Sequence, residues 1–156
     1  MTAANGVKPS IGVAVVVWRD ENRQELLLGL GHSGENRETI YAVPGGHWES
    51  GETLAAAVRR ETLEEAGIEV SGLSLVSVYE FFNPEKQKSY VTIGFSGMIT
   101  HGEPTVMEPD KKSNWGWYTP EAALALPLFV PDEILIRRAV QGPIYQEVIA
   151  PDSASL

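Results

Sequence analysis

The chain has 156 residues, of which 43% are hydrophobic and 21% charged. That is enough for one domain with a real core, and it argues against disorder as the main state. The formal net charge of −9 argues against a nucleic-acid polymer as partner, because such binders need a basic patch. It is compatible with a small phosphorylated ligand, since grouped carboxylates can hold Mg²⁺ against phosphates. The absence of cysteine excludes disulfides, zinc–thiolate sites and thiol nucleophiles. It is also compatible with a reducing cytoplasm, the expected location. The most apolar run, Ile11 to Trp18, is far short of the ~20 residues of a spanning helix. It is also a poor signal peptide, so no membrane is expected.

The expected organisation is a single domain over residues 1–156, with a core from about 8 to 142 and tails at 1–7 and 150–156. Ile11 to Trp18 reads as a buried strand. Asp20 to Gln24 is a polar turn, and Glu25 to Leu30 pairs back as a second strand. Gly31 to Thr39 reads as a loop and Tyr41 to Val43 as a short strand. Pro44-Gly45-Gly46 is expected to turn sharply. A helix follows from about Thr53 to Ala66, with Thr53 as N-cap and Gly67 as stop. Leu54, Val58, Thr62 and Ala66 share its core-facing side.

Leu73 to Phe82 and Lys88 to Ile99 read as long strands, and His101 to Asn114 as a loop. Trp115 to Tyr118 is a short strand. Thr119-Pro120-Glu121 opens a small helix, and Pro131 to Gln141 forms a final one. Strands mixed with a few helices predict an α/β or α+β layered domain.

The chemistry is concentrated in one stretch. Gly46, Glu52, Arg60, Glu61, Glu64, Glu65, Gly67 and Ile68 match in register the pattern G-x5-E-x7-R-E-U-x-E-E-x-G-U, where U is bulky and aliphatic. This resembles the signature of the Nudix hydrolase superfamily, MutT-like in type. Thr62 departs from it, standing at a U position. Threonine has the shape of valine, and its hydroxyl can bond a carbonyl one turn back. A lone E-x-x-E-E run is usually a solvated helix face, but the complete register is not explained that way. Glu61, Glu64 and Glu65 fall at i, i+3 and i+4 and so share one face. Three carboxylates there repel unless a cation sits among them, and oxygen ligands suit Mg²⁺ or Mn²⁺. Arg60 lies four residues before Glu64 and is placed to steady it.

The resemblance implies an α/β/α sandwich with a mixed central sheet. It implies that Glu64 and Glu65 are the principal Mg²⁺ ligands, helped by Glu61 and the Gly46 carbonyl, with Glu52, Arg60 and Gly67 orienting the loop and helix. The implied reaction is attack by water on a phosphorus of a nucleoside diphosphate linked to a group X. A homodimer is the oligomeric state it implies.

Outside the signature, Pro44-Gly45-Gly46-His47, Tyr90-Val91-Thr92, Glu108-Pro109-Asp110 and Trp115-Gly116-Trp117 look like the subgroup acting on nucleoside triphosphates. By this resemblance Glu108 is the candidate for a further metal ligand or general base, with Asp110 and Glu103 as competitors. His47 is a candidate phosphate contact. Tyr41, Phe95 and Trp117 are candidates for a base pocket. Trp115 and Trp117 are expected on opposite faces of their strand, and core packing of both is the favoured reading, with stacking of one on a base as the alternative. One feature departs from the subgroup. It carries basic residues after the second strand's Leu-Leu-Gly, whereas this chain reads Leu27-Leu28-Gly29-Leu30-Gly31-His32, leaving Arg37, Lys86 or Lys88 as substitutes.

The leading expectation is a nucleoside-triphosphate diphosphatase that releases pyrophosphate and could serve in cleaning the nucleotide pool. The alternatives are a hydrolase of ADP-ribose, nucleotide sugars or dinucleoside polyphosphates, and a non-catalytic nucleotide sensor.

Overall fold

The computed structural model describes residues 6–33 and 38–141. Its elements are β1 (Ser10–Trp18), β2 (Leu26–Ser33), β3 (Glu38–Ala42), β4 (Gly45–His47), α1 (Leu54–Ala66), β5 (Glu69–Asn83), β6 (Lys88–His101), β7 (Lys112–Tyr118), α2 (Pro120–Leu124) and α3 (Val130–Gln141). The strands form one mixed sheet in the order β3-β2-β1-β6-β5, with β4 paired to β1 and β7 to β2. β1 and β6 run parallel, and every other pairing is antiparallel.

The valine run of β1 explains the layering. Successive strand residues point to opposite faces. Ala14, Val16 and Trp18 pack with Leu135, Ile136 and Ala139 of α3. Val13, Val15 and Val17 pack with Ala57, Val58 and Ala66 of α1. A strand buried on both faces has no polar alternation. The result is the expected sandwich, with α1 on one side of the sheet and α2 and α3 on the other.

Helix α1 starts where Thr53 accepts a side-chain hydrogen bond from the Ala56 amide at 3.1 Å. It ends where Gly67 adopts φ 66°, a left-handed conformation that favours glycine. Thr62 is fully buried, and its hydroxyl donates to the Arg59 carbonyl at 3.0 Å. Its departure from an aliphatic residue is thus accommodated inside the helix.

The chain bends at Pro44, as expected, but Gly45 and Gly46 are extended in β4, where they pair with Ala14 and Val13 and neither has positive φ. These glycines serve close approach instead. A Cβ on Gly45 would overlap the Val13 carbonyl, and one on Gly46 would overlap the Glu61 carboxylate. Several strands also outrun the sequence expectation. β2 continues to Ser33, β3 covers Glu38–Ala42 rather than Tyr41 to Val43, β5 begins directly after α1 at Glu69, and β7 begins at Lys112 inside the expected loop. Pairing with a neighbour extends a strand past its apolar run. The expected tail at 150–156 and Arg37 lie outside the described residues.

β1 pairs with β2 only at Trp18 and Leu26, while its start pairs with β4. The two strands therefore splay apart, and a cleft opens beside β4. Among the described residues, no helix is long and apolar enough to cross a membrane.

Candidate active site

The cleft has a volume of about 1120 Å³. Its floor is made by Gly12, Val13, Gly45, Gly46, His47 and Glu65. One wall comes from the β5–β6 hairpin with Phe81, Asn83, Lys86, Tyr90 and Thr92. The other comes from Phe129 and Asp132 at the start of α3, with Lys112 of β7.

Arg60 organises the signature segment. Its guanidinium donates to both Glu52 carboxylate oxygens, at 3.1 and 2.8 Å, and to the His47 carbonyl at 2.9 Å. It also donates to Glu61 at 2.9 Å and Glu64 at 3.3 Å. One side chain therefore joins the loop before α1 to the acidic face of α1. The Glu52 pKa lies below the usual carboxylate range, chiefly through its hydrogen bond with Arg60.

Glu65 and Glu61 sit one turn apart and are both buried. The Gly45 amide donates to Glu65 Oε2 at 3.2 Å. Burial pushes the Glu65 pKa up to about 7, against the opposing pull of Lys112 and the Gly45 amide. Burial also raises the Glu61 pKa, with Arg60 opposing. The charge on Glu108 raises both.

The β6–β7 loop brings Glu108 near this pair by capping α1. The Thr105 and Met107 amides donate to the Ala66 and Glu65 carbonyls at 2.9 and 3.4 Å. Trp115 Nε1 donates to the Glu65 carbonyl at 3.1 Å. Helix-end carbonyls need such partners, so the cap fixes the loop and with it Glu108. Glu103 and Asp110 are not among the main charges acting on Glu61 and Glu65.

The donor set fits a hard divalent cation in its chemistry: oxygen donors only, with two of the carboxylates buried and mutually repelling. Among the described residues, no three acidic or histidine side chains already stand close enough together to hold a metal ion. Glu64 is held by Arg60 and Glu108 by Lys111. These long side chains would have to release those partners to join Glu61 and Glu65.

Other candidates lie elsewhere. Phe95 is buried against α1 in the core, and Tyr41 packs edge-on against Tyr118 at 5.8 Å on the α3 side of the sheet. Neither lines the cleft. Trp115 and Trp117 do not face opposite ways. Residues two apart on a strand share a face, and both pack against the core cluster of α1. Trp117 stacks with Arg19 at 5.6 Å, away from the cleft. His47 does line the cleft, as do Tyr90, Val91 and Thr92.

Sequence reasoning missed Asp132. It is buried, its Oδ2 accepts from the Val43 amide at 2.9 Å, and burial pushes its pKa up to about 7. In sequence it reads as an ordinary acidic residue in a first helical turn. Only the path of residues 127–129 along β3 brings it to the cleft, through the Tyr41 amide to Pro127 carbonyl and Phe129 amide to Tyr41 carbonyl bonds, both 2.9 Å.

Comparison with known proteins agrees with this geometry. The NUDIX domain family model matches residues 8–139. The NAD-capped RNA hydrolase NudC of Citrobacter koseri is 30% identical over 138 residues, covering 88% of this chain and 48% of its own. The chain thus spans about half the length of the curated relatives it matches. A MutT NUDIX hydrolase structure from Burkholderia pseudomallei superposes with a TM-score of 0.75 at 26% identity, covering 84% of this chain and 98% of the other. The NUDIX domain of Shewanella oneidensis NrtR, complexed with ADP ribose, superposes with a TM-score of 0.72 at 17% identity, covering 86% and 88%. With its signature segment placed on a sandwiched helix, this chain belongs to the Nudix superfamily and is MutT-like.

Proposed function

We propose that the protein hydrolyses a phosphoanhydride in a nucleoside diphosphate-X substrate, and that nucleoside triphosphates are cleaved to monophosphate and pyrophosphate. The observation that carries this is the position of Glu65. It is a buried carboxylate on the floor of a cleft large enough for a nucleotide, one turn from Glu61 and within the field of Glu108.

In this reading Glu61, Glu64, Glu65 and the Gly46 carbonyl hold Mg²⁺, or Mn²⁺ in its place. The metal, when bound, lowers the pKa of water and neutralises phosphate oxygens. Arg60 keeps the loop and helix in register. Glu108 takes the proton from the attacking water as its oxygen bonds to phosphorus. The bridging P–O bond then breaks, and its electron pair leaves with the departing phosphate. Phe81 and Phe129 meet edge-to-face at 6.2 Å, where the two walls of the cleft come together, a surface on which a base can stack.

A second reading is favoured by the curated relatives, which are named as NAD-capped RNA hydrolases. A dinucleotide diphosphate such as NAD offers the same linkage, and the charge of −9 favours the small molecule over a polymer. A panel of NTPs, dNTPs, NAD, ADP-ribose and nucleotide sugars with Mg²⁺, run against Glu64→Gln and Glu65→Gln, separates the readings by product. Pyrophosphate and a monophosphate from a triphosphate support the first. Two monophosphate products from NAD alone support the second. No turnover of any compound would overturn both.

A further inference from the structure

The cation that grips substrate phosphates is absent from the expected place on β2, and the structure shows what stands there instead. Lys112 pairs with Gly31 of β2. Its ammonium lies 3.5 Å from where a Cβ on Gly31 would stand. The charge therefore stands in contact with the place where a side chain on β2 would begin. Gly31 is not held in a positive-φ conformation, so the backbone itself does not demand glycine there.

Lys112 is also directed and available. Its ammonium stands 5.7 Å from the Trp115 ring centroid, which restricts its sweep. It lines the cleft beside Glu65 and Asp132, and its charge acts on both. Neighbouring Lys111 is paired with Glu108. Among the described residues, Lys112 makes no such ion pair. It is half-buried, whereas Lys86, the other lysine of the cleft, is exposed at the hairpin turn. A partly buried charge is less screened by salt than an exposed one.

We propose that Lys112 is the phosphate-binding cation of this cleft, supplied from β7 in place of a basic residue on β2. This rests on the reading that a phosphoanhydride substrate occupies the cleft, but not on which one. Lysine acts on phosphate as a mobile point charge, so reaching the site from the neighbouring strand loses little.

ADP carries the diphosphate shared by every substrate considered, so it serves as probe. Its affinity in the presence of Mg²⁺ would be measured by titration calorimetry for the wild type, Lys112→Ala, Lys112→Arg and the transplant Gly31→Lys/Lys112→Ala. Lys112→Ala should weaken ADP binding by about tenfold to a hundredfold, the range for a charged hydrogen bond. Lys112→Arg should recover most of that loss. The transplant should recover it too, because a lysine at Gly31 would start within contact distance of the place the Lys112 ammonium occupies. A purely structural lysine would not be replaced by a charge on another strand. Thermal melts identify any variant that fails to fold, in which case Lys112→Arg alone carries the rescue. Equal ADP affinity in the wild type and Lys112→Ala would overturn the assignment. So would a loss that no folded charge-restoring variant recovers. The readout is affinity, so it is independent of which substrate the turnover panel identifies.

Discussion

Arg60 and Glu52 meet through two parallel hydrogen bonds, at 3.1 and 2.8 Å, across eight residues of sequence. The same guanidinium holds the His47 carbonyl at 2.9 Å and Glu61 at 2.9 Å. The loop that carries β4 is thus tied to the helix that carries the carboxylates by a single planar group. Lysine cannot reproduce this forked geometry. Arg60→Lys is expected to lower the thermal midpoint by about 5 °C and turnover by at least about tenfold. A circular-dichroism melt and a product assay check both. An unchanged midpoint would show that the tie contributes nothing to folding.

Gly46 has no room for a side chain, because a Cβ would overlap the Glu61 carboxylate. Gly46→Ala must push Glu61 aside. Its expected effect is on metal binding more than on folding, with Mn²⁺ affinity reduced on the order of tenfold or more. Paramagnetic titration of Mn²⁺ measures this directly. Retention of full Mn²⁺ affinity would mean that Glu61 is not a ligand.

Glu65 predicts opposite effects on stability and on activity. Its folded-state pKa of about 7 stands above the ordinary 4.5. A raised carboxylate pKa gives stability that is complete below the unfolded value and lost as pH rises through the folded one. The metal-free protein should therefore lose stability between about pH 4.5 and 7, by roughly 3 kcal/mol from this group. Glu65→Gln keeps an acceptor for the Gly45 amide and removes the buried charge. It should melt higher than the wild type at pH 8 without metal, while turnover falls on the order of 10²-fold or more. Urea unfolding across the pH range tests the first half, and the product assay tests the second.

Asp132 should behave in the same sense over a wider window, since burial lifts its pKa from 3.8 to about 7. Asp132→Asn still offers an oxygen to the Val43 amide, whose bond to Oδ2 is 2.9 Å. Metal-free stability at pH 8 should rise, and part of the decline between pH 4 and 7 should vanish. A stability profile that stays parallel to the wild type would show that the Asp132 pKa is not raised on folding, its burial being offset by Lys112 and the Val43 amide.

Mg²⁺ itself gives a fifth test. A ligand that binds only the folded state stabilises it, by about 2.7 kcal/mol at a hundred times its Kd. Saturating Mg²⁺ at pH 8 should raise the wild-type midpoint and leave Glu65→Gln nearly unmoved. Equal shifts in the two proteins would place the metal elsewhere.

The sequence by itself determined what depends on local spacing. The i, i+3 and i+4 positions of Glu61, Glu64 and Glu65 define one helical face wherever the helix lies, and Thr53 and Gly67 mark its ends through chemistry within a turn or two. The two-sided burial of β1 was equally legible, because a run of valines without polar alternation leaves neither face for water. What only the tertiary structure decided was convergence. Lys112 reaches the place above Gly31 through the β2–β7 register. Asp132 reaches the cleft through the path of residues 127–129 beside β3, and Glu108 reaches Glu61 and Glu65 through the loop that caps α1. The extended form of Gly45 and Gly46 belongs with these. Glycine permits both a sharp turn and a close approach, and the partners packed against it select between them. Phe95 and Trp117 show the same limit from the other side. An aromatic residue suits a core and a base pocket alike, and strand pairing decides which one it meets.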